Sequence, residues 1–250
     1  MNIALSDVSA VEFNGSEVDV VEFNGVEVWR KTAPTPVEPD TWETKTWNGM
    51  TSFDGKNVWT DGDNIYYSPG PNLQKVLNKS TSTWSEKTWS GLSVLYGYQV
   101  WTDGENIYSS NNTTQKVLNK STLKWSTKTW SGLTNFVGNG IWTDGDNIYF
   151  SNSNSSTGTV GQYILDKSTS TWSEKTWTGL TSFNGNKVWT DGENIYYSTG
   201  STQYVLDKAT STWSTKTWSG LTSFSGSYVW TDGTELYYSH SSNQYVLVKP

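Results

Sequence analysis

From Trp42 onward, apolar and polar positions alternate in short runs, and the same set of runs returns about every 42 residues. One copy begins with Val188-Trp189-Thr190, the pair Asp191-Gly192, and Asn194-Ile195-Tyr196-Tyr197. After a polar stretch come Gln203-Tyr204-Val205-Leu206, a turn-forming Asp207-Lys208-Ala209-Thr210, and a phrase from Thr212 to Trp218. Period-two alternation bounded by Asp-Gly and by Asp/Asn-Lys-Ser-Thr predicts four short antiparallel strands per copy. No stretch carries a helical period. Trp42, Trp84, Trp125, Trp172 and Trp213 mark five copies, spaced by 42, 41, 47 and 41 residues.

The fifth copy stops one strand short, at Lys249 and Pro250, and the missing phrase stands at the front as Trp42-Glu43-Thr44-Lys45-Thr46-Trp47. Five small sheets with unpaired edges need a covering arrangement, and radial packing supplies it by burying both faces of each sheet. An open stack would demand distinct polar caps, and no such segments are present. The expectation is an all-β five-bladed β-propeller of four-stranded antiparallel blades, over residues 41–250, with strand 41–47 completing the last blade. A sixth blade from residues 1–40 matches poorly, because that segment lacks Trp-Thr-Asp-Gly.

Residues 1–31 differ in kind. Val-Glu-Phe-Asn-Gly occurs at 11–15 and again at 21–25, each time followed by Glu-Val, which reads as two hairpins ending near Trp29. Residues 32–40, with Pro34, Pro36 and Pro39, form a proline-spaced linker. So short an arm cannot bury a core of its own and needs company, either other copies of itself or another protein's surface.

Sixteen tryptophans and fourteen tyrosines are an unusual endowment for 250 residues. Packing between blades accounts for most of them. The pairs Trp42/Trp47, Trp84/Trp89, Trp125/Trp130, Trp172/Trp177 and Trp213/Trp218 are expected to be structural. So are Trp59, Trp101, Trp142, Trp189 and Trp230, each just ahead of an Asp-Gly turn. The net charge of −7 and a single arginine, Arg30, do not advertise a nucleic-acid partner. No apolar run is long enough to span a membrane, and the first residues lack the features of a signal peptide. With no cysteine, no disulfide framework or thiolate metal site is expected, so the fold is independent of redox compartment.

The run Asn-Ile-Tyr-Tyr-Ser followed by Tyr-Val-Leu-Asp-Lys-x-Thr-x-Thr-Trp resembles kelch-type blades, best at residues 166–172 and 207–213. The double glycine of that pattern is reduced to one residue at Gly70 and Gly200 and is absent at Asn111-Asn112. Kelch-type copper oxidases would require Cys and several His, which this chain does not have. Five blades rich in Trp, Asp, Gly and Asn are also similar to the small animal lectin propellers, which implies sugar binding. The phrase Val21-Glu22-Phe23-Asn24-Gly25-Val26-Glu27-Val28-Trp29-Arg30 resembles hairpins of tailed-bacteriophage virion proteins. That resemblance implies that residues 1–31 bind a virion protein or self-associate, that the propeller projects outward, and that the protein is located in the virion. A hairpin folded back on the propeller is the alternative.

Comparison among the five copies shows where sequence is free to vary. Trp-Thr-Asp-Gly and Lys-Thr-Trp are invariant, whereas the insert between strands two and three and the approach to strand one differ in every copy. Both segments are expected on one rim of the propeller, where loops on a rigid scaffold bind ligands. The candidate ligand-binding residues are Asn57, Tyr96, Tyr98, Gln99, Asn139, Asn186, Tyr228 and His240. Their aromatic faces and neutral amides suit a polyol such as a sugar, with exposed loop filler as the competing explanation. The phrase Asp-Gly-Asp/Glu-Asn has too few ligands for a calcium loop and explains itself as a turn, so neither metal nor cofactor is expected. The lone His240 has no acidic neighbour in sequence, and no catalytic motif is present, so an enzyme is not expected. The expected function is a phage tail or fibre adhesin that recognises a cell-surface glycan or surface protein, without membrane insertion or nucleic-acid binding. Its rival is a structural virion component whose propeller docks another protein. Near fivefold repetition further suggests several weak sites acting together.

Overall fold

The structure, a computed structural model, describes residues 41–50, 53–70, 73–92, 94–153 and 161–249, and the backbone alone of residues 11–13, 16–18, 20–23 and 26–30. The chain divides into two compact units, Met1–Pro39 with Pro250 and Asp40–Lys249. In the first unit, β1 (Val11–Phe13) pairs with β2 (Ser16–Val18), and β3 (Val20–Phe23) pairs with β4 (Val26–Arg30). The pairings Phe13↔Ser16 and Phe23↔Val26 flank the two Asn-Gly dipeptides, which, like the proline-spaced linker, lie outside the described residues.

The second unit is a five-bladed β-propeller of four-stranded antiparallel blades. It opens with β5 (Thr41–Thr44) and the short β6 (Phe53–Asp54). The first blade is β7 (Val58–Thr60), β8 (Ile65–Gly70), β9 (Leu73–Asn78) and β10 (Thr83–Glu86). The second is β11 (Val100–Thr102), β12 (Ile107–Asn112), β13 (Thr114–Asn119) and β14 (Lys124–Thr127). After the short β15 (Phe136–Val137), the third is β16 (Ile141–Thr143), β17 (Ile148–Asn152), β18 (Gly161–Asp166) and β19 (Thr171–Glu174). The fourth is β20 (Val188–Thr190), β21 (Ile195–Thr199), β22 (Thr202–Asp207) and β23 (Thr212–Thr215). The fifth is β24 (Val229–Thr231), β25 (Leu236–Ser241) and β26 (Asn243–Val248), completed by β5 from the start of the unit.

The closing pair keeps the register of the other four. Leu247 faces Trp42 across β26 and β5, as Leu77 faces Trp84, Leu118 faces Trp125, Leu165 faces Trp172 and Leu206 faces Trp213. The fourth strand is shorter than the phrase that announces it, since β5 ends at Thr44 and not at Trp47. Lys45 N–H still bonds the Gln244 carbonyl at 2.8 Å, and the chain then departs for the neighbouring blade. The turn that follows needs glycine. Gly49 has φ +75°, and a Cβ there would lie 2.9 Å from the Trp84 carbonyl oxygen. The departing chain forms one parallel bridge per seam, Asn48↔Thr83, Ser90↔Lys124, Ser131↔Thr171, Thr178↔Thr212 and Ser219↔Thr41. Together these five bridges run once around the ring.

The core is five separate clusters, one at each seam between blades, and each holds three tryptophans. Between the third and fourth blades these are Trp142, Trp177 and Trp213, with ring centroids 5.3 to 6.2 Å apart. The strand-one tryptophan lies on the tyrosine of strand two, as in Trp142–Tyr149 at 4.4 Å. Its indole N–H donates to a fully buried serine: Trp59 to Ser68, Trp101 to Ser110, Trp142 to Ser151, Trp189 to Ser198 and Trp230 to Ser239, at 2.8 to 2.9 Å. The lysine of each Lys-Thr-Trp phrase sits over its own tryptophan ring, at 4.5 Å for Lys128 on Trp130. Fifteen of the sixteen tryptophans thus form the seams, and of these only Trp89 is not fully buried.

Candidate functional site

Each blade presents two ends with different chemistry. At one end lie the Asp-Gly turns, which are closed on themselves. The Asp144 carboxylate accepts the Asn147 and Asp146 N–H groups at 2.7 and 3.1 Å and the Tyr149 hydroxyl at 2.8 Å. Thr143 Oγ1 donates to the Asn147 carbonyl and accepts from Gly145 N–H. Burial opposes charge on Asp61, Asp103, Asp144 and Asp191, but the converging hydrogen bonds outweigh it and hold these carboxyls below the ordinary carboxylate range. Burial first, and then the bond to the carboxylate, pushes the partner phenols Tyr66, Tyr108 and Tyr149 far up. The turn carboxylates therefore have their lone pairs engaged. Among the described residues no three His, Cys, Asp or Glu side chains gather as a metal-binding group. A groove of about 470 Å³ on this end is walled by the turns of the fourth and fifth blades and by Lys249, which pairs with Asp191 at 3.2 Å. Its walls are mostly repeated turn residues, with Thr234-Glu235-Leu236 standing where the other four copies have Asp/Glu-Asn-Ile.

The other end carries the variation. In every blade the approach to strand one is a single 3-10 turn that begins with glycine: Gly55–Asn57, Gly97–Gln99, Gly138–Gly140, Gly185–Lys187 and Gly226–Tyr228. Each glycine touches the last carbonyl of the preceding turn. A Cβ would lie 1.9 Å from the Asn57 oxygen at Gly97, 2.1 Å from that of Gln99 at Gly138, and 2.4 Å from that of Tyr228 at Gly55. The five turns so form a tight collar around the axis.

This collar divides the sequence-predicted residues into two sets. The second residue of each turn, Lys56, Tyr98, Asn139, Asn186 and Ser227, lines one central cavity of about 140 Å³. The third residue turns away from the axis and packs along its own blade. There Asn57 and Gln99 are buried, at 6% and 5% exposure, and Tyr228 stacks on His240 with centroids 4.2 Å apart. Tyr96 precedes its turn and lies against Tyr98 at 5.4 Å. The structure thus brings Tyr98, Asn139 and Asn186 together, with Tyr96 beside them. Tyr228 and His240 meet on the fifth blade, and Asn57 and Gln99 lie behind the collar.

Lys56 and Ser227 complete the axial ring and were missed in the sequence, although they occupy the same column of the repeat as Tyr98. Lys56 pairs with Asp54 at 3.1 Å and sits 5.6 Å from the Tyr228 ring centroid. Burial lowers its pKa, but the Asp54 hydrogen bond and charge outweigh this and leave it raised, so the ammonium stays charged. The side-chain oxygens of Asn57 and Asn186 are buried without a partner. Five positions that repetition would make equivalent therefore present an ammonium, a phenol, two amides and a hydroxyl to one point on the axis.

The polar inserts between strands two and three border this same end. Gln74 and Gln115, from strand three, each reach both the carbonyl of the insert and the carbonyl of the next approach, with Gln74 to Leu95 at 3.2 Å and Gln115 to Phe136 at 3.5 Å. In the other three blades the equivalent glutamine makes one of these bonds, Gln162 to the Phe183 carbonyl at 3.3 Å, Gln203 to that of Gly200 at 2.7 Å and Gln244 to that of Ser241 at 2.8 Å. The longest insert, at residues 154–160 in the third blade, lies outside the described residues. No model of a known protein family matches the chain, and none of the curated proteins compared with it is similar. The propeller fold is consistent with a protein- or ligand-binding module in general.

Proposed function

We propose that this protein is a non-enzymatic adhesin whose propeller binds a surface glycan at the variable end, presented by the arm of residues 1–31 on a phage particle. The observation that carries the binding role is the axial ring of Lys56, Tyr98, Asn139, Asn186 and Ser227, which are variable residues on an invariant collar. Such a ring offers an aromatic face for the CH side of a sugar and amides, a hydroxyl and an ammonium for its hydroxyls. The ring holds four kinds of group in five positions, with asparagine at two of them, which favours one composite site over five equal ones. The virion placement rests on the arm, whose two Asn-Gly hairpins match the resemblance set out above.

The test is binding of labelled full-length protein, of a fragment spanning residues 41–250, and of Tyr96→Ala/Tyr98→Ala/Tyr228→Ala protein to a glycan array and to whole bacterial cells. Saturable binding by the first two, lost in the triple variant, is expected. A folded protein that binds neither cells nor glycans would replace this function with protein docking inside the virion.

A further inference from the structure

Four of the five seams are filled by the same aromatic pair. The phenylalanine of the approach meets the aromatic residue of strand two edge-on: Phe53 with Tyr67, Phe136 with Phe150, Phe183 with Tyr197 and Phe224 with Tyr238, with centroids 5.4 to 5.6 Å apart. At the seam between the first and second blades both members are replaced, by Leu95 and Ser109. The register leaves no doubt about equivalence, because Ser109 pairs with Val100 as Tyr67 pairs with Val58 and Tyr197 with Val188. A buried cluster that elsewhere holds both rings here holds Leu95 alone.

Beside Ser109 lies a cavity of about 330 Å³ lined by Gly91, Leu92, Val94, Gln99, Ser109, Asn111, Thr114 and Lys116. It is open to solvent at Val94, which is 45% exposed and stands where three other copies have serine and one has asparagine. The same blade gains what it has lost from its core, since Tyr96 and Tyr98 are tyrosines in no other copy. Trp89, the one half-buried seam tryptophan, belongs to this seam. The seam keeps an apolar side chain at Leu95 and loses a large one at Ser109, a large-to-small change that leaves space unfilled in an ordinary core. Substitutions of this kind, confined to one seam of five and matched by new rim aromatics, point to a use.

We infer that this cavity is the primary subsite for one pyranose ring of the glycan, an inference that rests on the function proposed above. At Ser109 the slot borders the strand position that carries an aromatic ring in the other four blades. Much of its lining is polar. Ser109, Asn111, Thr114 and Gln99 supply hydroxyl and amide groups, and Lys116, whose ammonium reaches Thr127 Oγ1 at 3.3 Å, supplies a donor. Leu92 and Val94 supply an apolar wall. That combination matches a ring with hydroxyls on its edge and CH groups on its face, and it does not match a purely apolar ring. One such subsite exists per chain.

Restoring the repeat's own residues tests the inference. The Leu95→Phe/Ser109→Tyr variant rebuilds the pair present at the other four seams, so it is expected to fold and to unfold at an equal or higher temperature. Glycan-array and cell binding, with saturation-transfer NMR on free aldohexoses, is expected to fall at least tenfold in apparent affinity, about the equivalent of one buried hydrogen bond. The Asn111→Ala/Thr114→Ala variant changes only exposed side chains and is expected to weaken binding by a similar factor. Wild-type binding that survives in both variants would overturn the subsite. If it were still lost in the Tyr96/Tyr98/Tyr228 variant, the glycan function would stand without it. Absence of any glycan binding by the wild-type protein would overturn both.

Discussion

Trp142 has three physical roles. Its indole N–H satisfies Ser151, its face lies on Tyr149, and its edge meets Trp177 and Trp213 from the blades on either side of the seam. Replacing it with phenylalanine leaves the fully buried Ser151 hydroxyl without its donor, at a cost of ~1–3 kcal/mol beyond the lost contact area. Ser151→Ala should cost less, and the double variant should recover part of the Trp142→Phe loss, a coupling readable in urea unfolding. Strict additivity would show that the bond contributes nothing. The Asp-Gly turns predict the pH profile. Asp61, Asp103, Asp144 and Asp191 have folded pKa values below the unfolded value of ~3.9, so their stabilisation is complete above it and is lost as pH falls below about 4. Their phenol partners have raised pKa values, so that contribution is complete below about pH 10 and is lost as pH rises further. Stability measured by denaturant titration should therefore be flat across neutral pH and fall at both ends. Asp103→Asn should flatten the acid limb, and an acid limb identical to wild type would remove the turns from its explanation.

At the scale of elements, β5 is the piece on which closure depends. Without it β26 presents an unpaired edge, and the seams containing Trp42 and Trp47 each lose a large ring. A fragment beginning at residue 40 should fold cooperatively, whereas one beginning at residue 48 should be molten or aggregated by near-UV circular dichroism and thermal unfolding. Equal stability of the two would contradict ring closure by this strand. The strands themselves were legible because their period-two alternation is bounded by Asp-Gly and Asp-Lys turns, and because Trp42–Trp47 stood apart from the unit it completes. The early end of the fourth strand was not legible. The alternation continues through Lys45-Thr46-Trp47, and only the three-dimensional seam shows that the second tryptophan serves the junction with the next blade. The collar was hidden for a similar reason: a one-turn 3-10 segment has no periodicity, and the glycines' role is contact with a neighbouring blade. Lys56 was overlooked because its column was read for aromatics and amides. Leu95 and Ser109 were visible as departures from the repeat, but their meaning depends on knowing that the two positions touch.

For the whole molecule, repetition and its interruption do different work. The invariant phrases build seams, collar and turns five times over, and this redundancy lets one seam carry a polar cavity and one axial ring carry unlike groups without losing the fold. Fivefold sequence repetition first suggests five weak sites acting together, whereas the function proposed here uses a single asymmetric site, made of the axial ring and the cavity at the seam between the first and second blades. The most direct measurement is the binding stoichiometry of residues 41–250 with an oligosaccharide that the intact protein binds, counted by native mass spectrometry across a titration. One saturable equivalent per chain, lost on Leu95→Phe/Ser109→Tyr substitution, is the predicted result. Five equivalents of similar affinity, or one that the substitution leaves untouched, would contradict it.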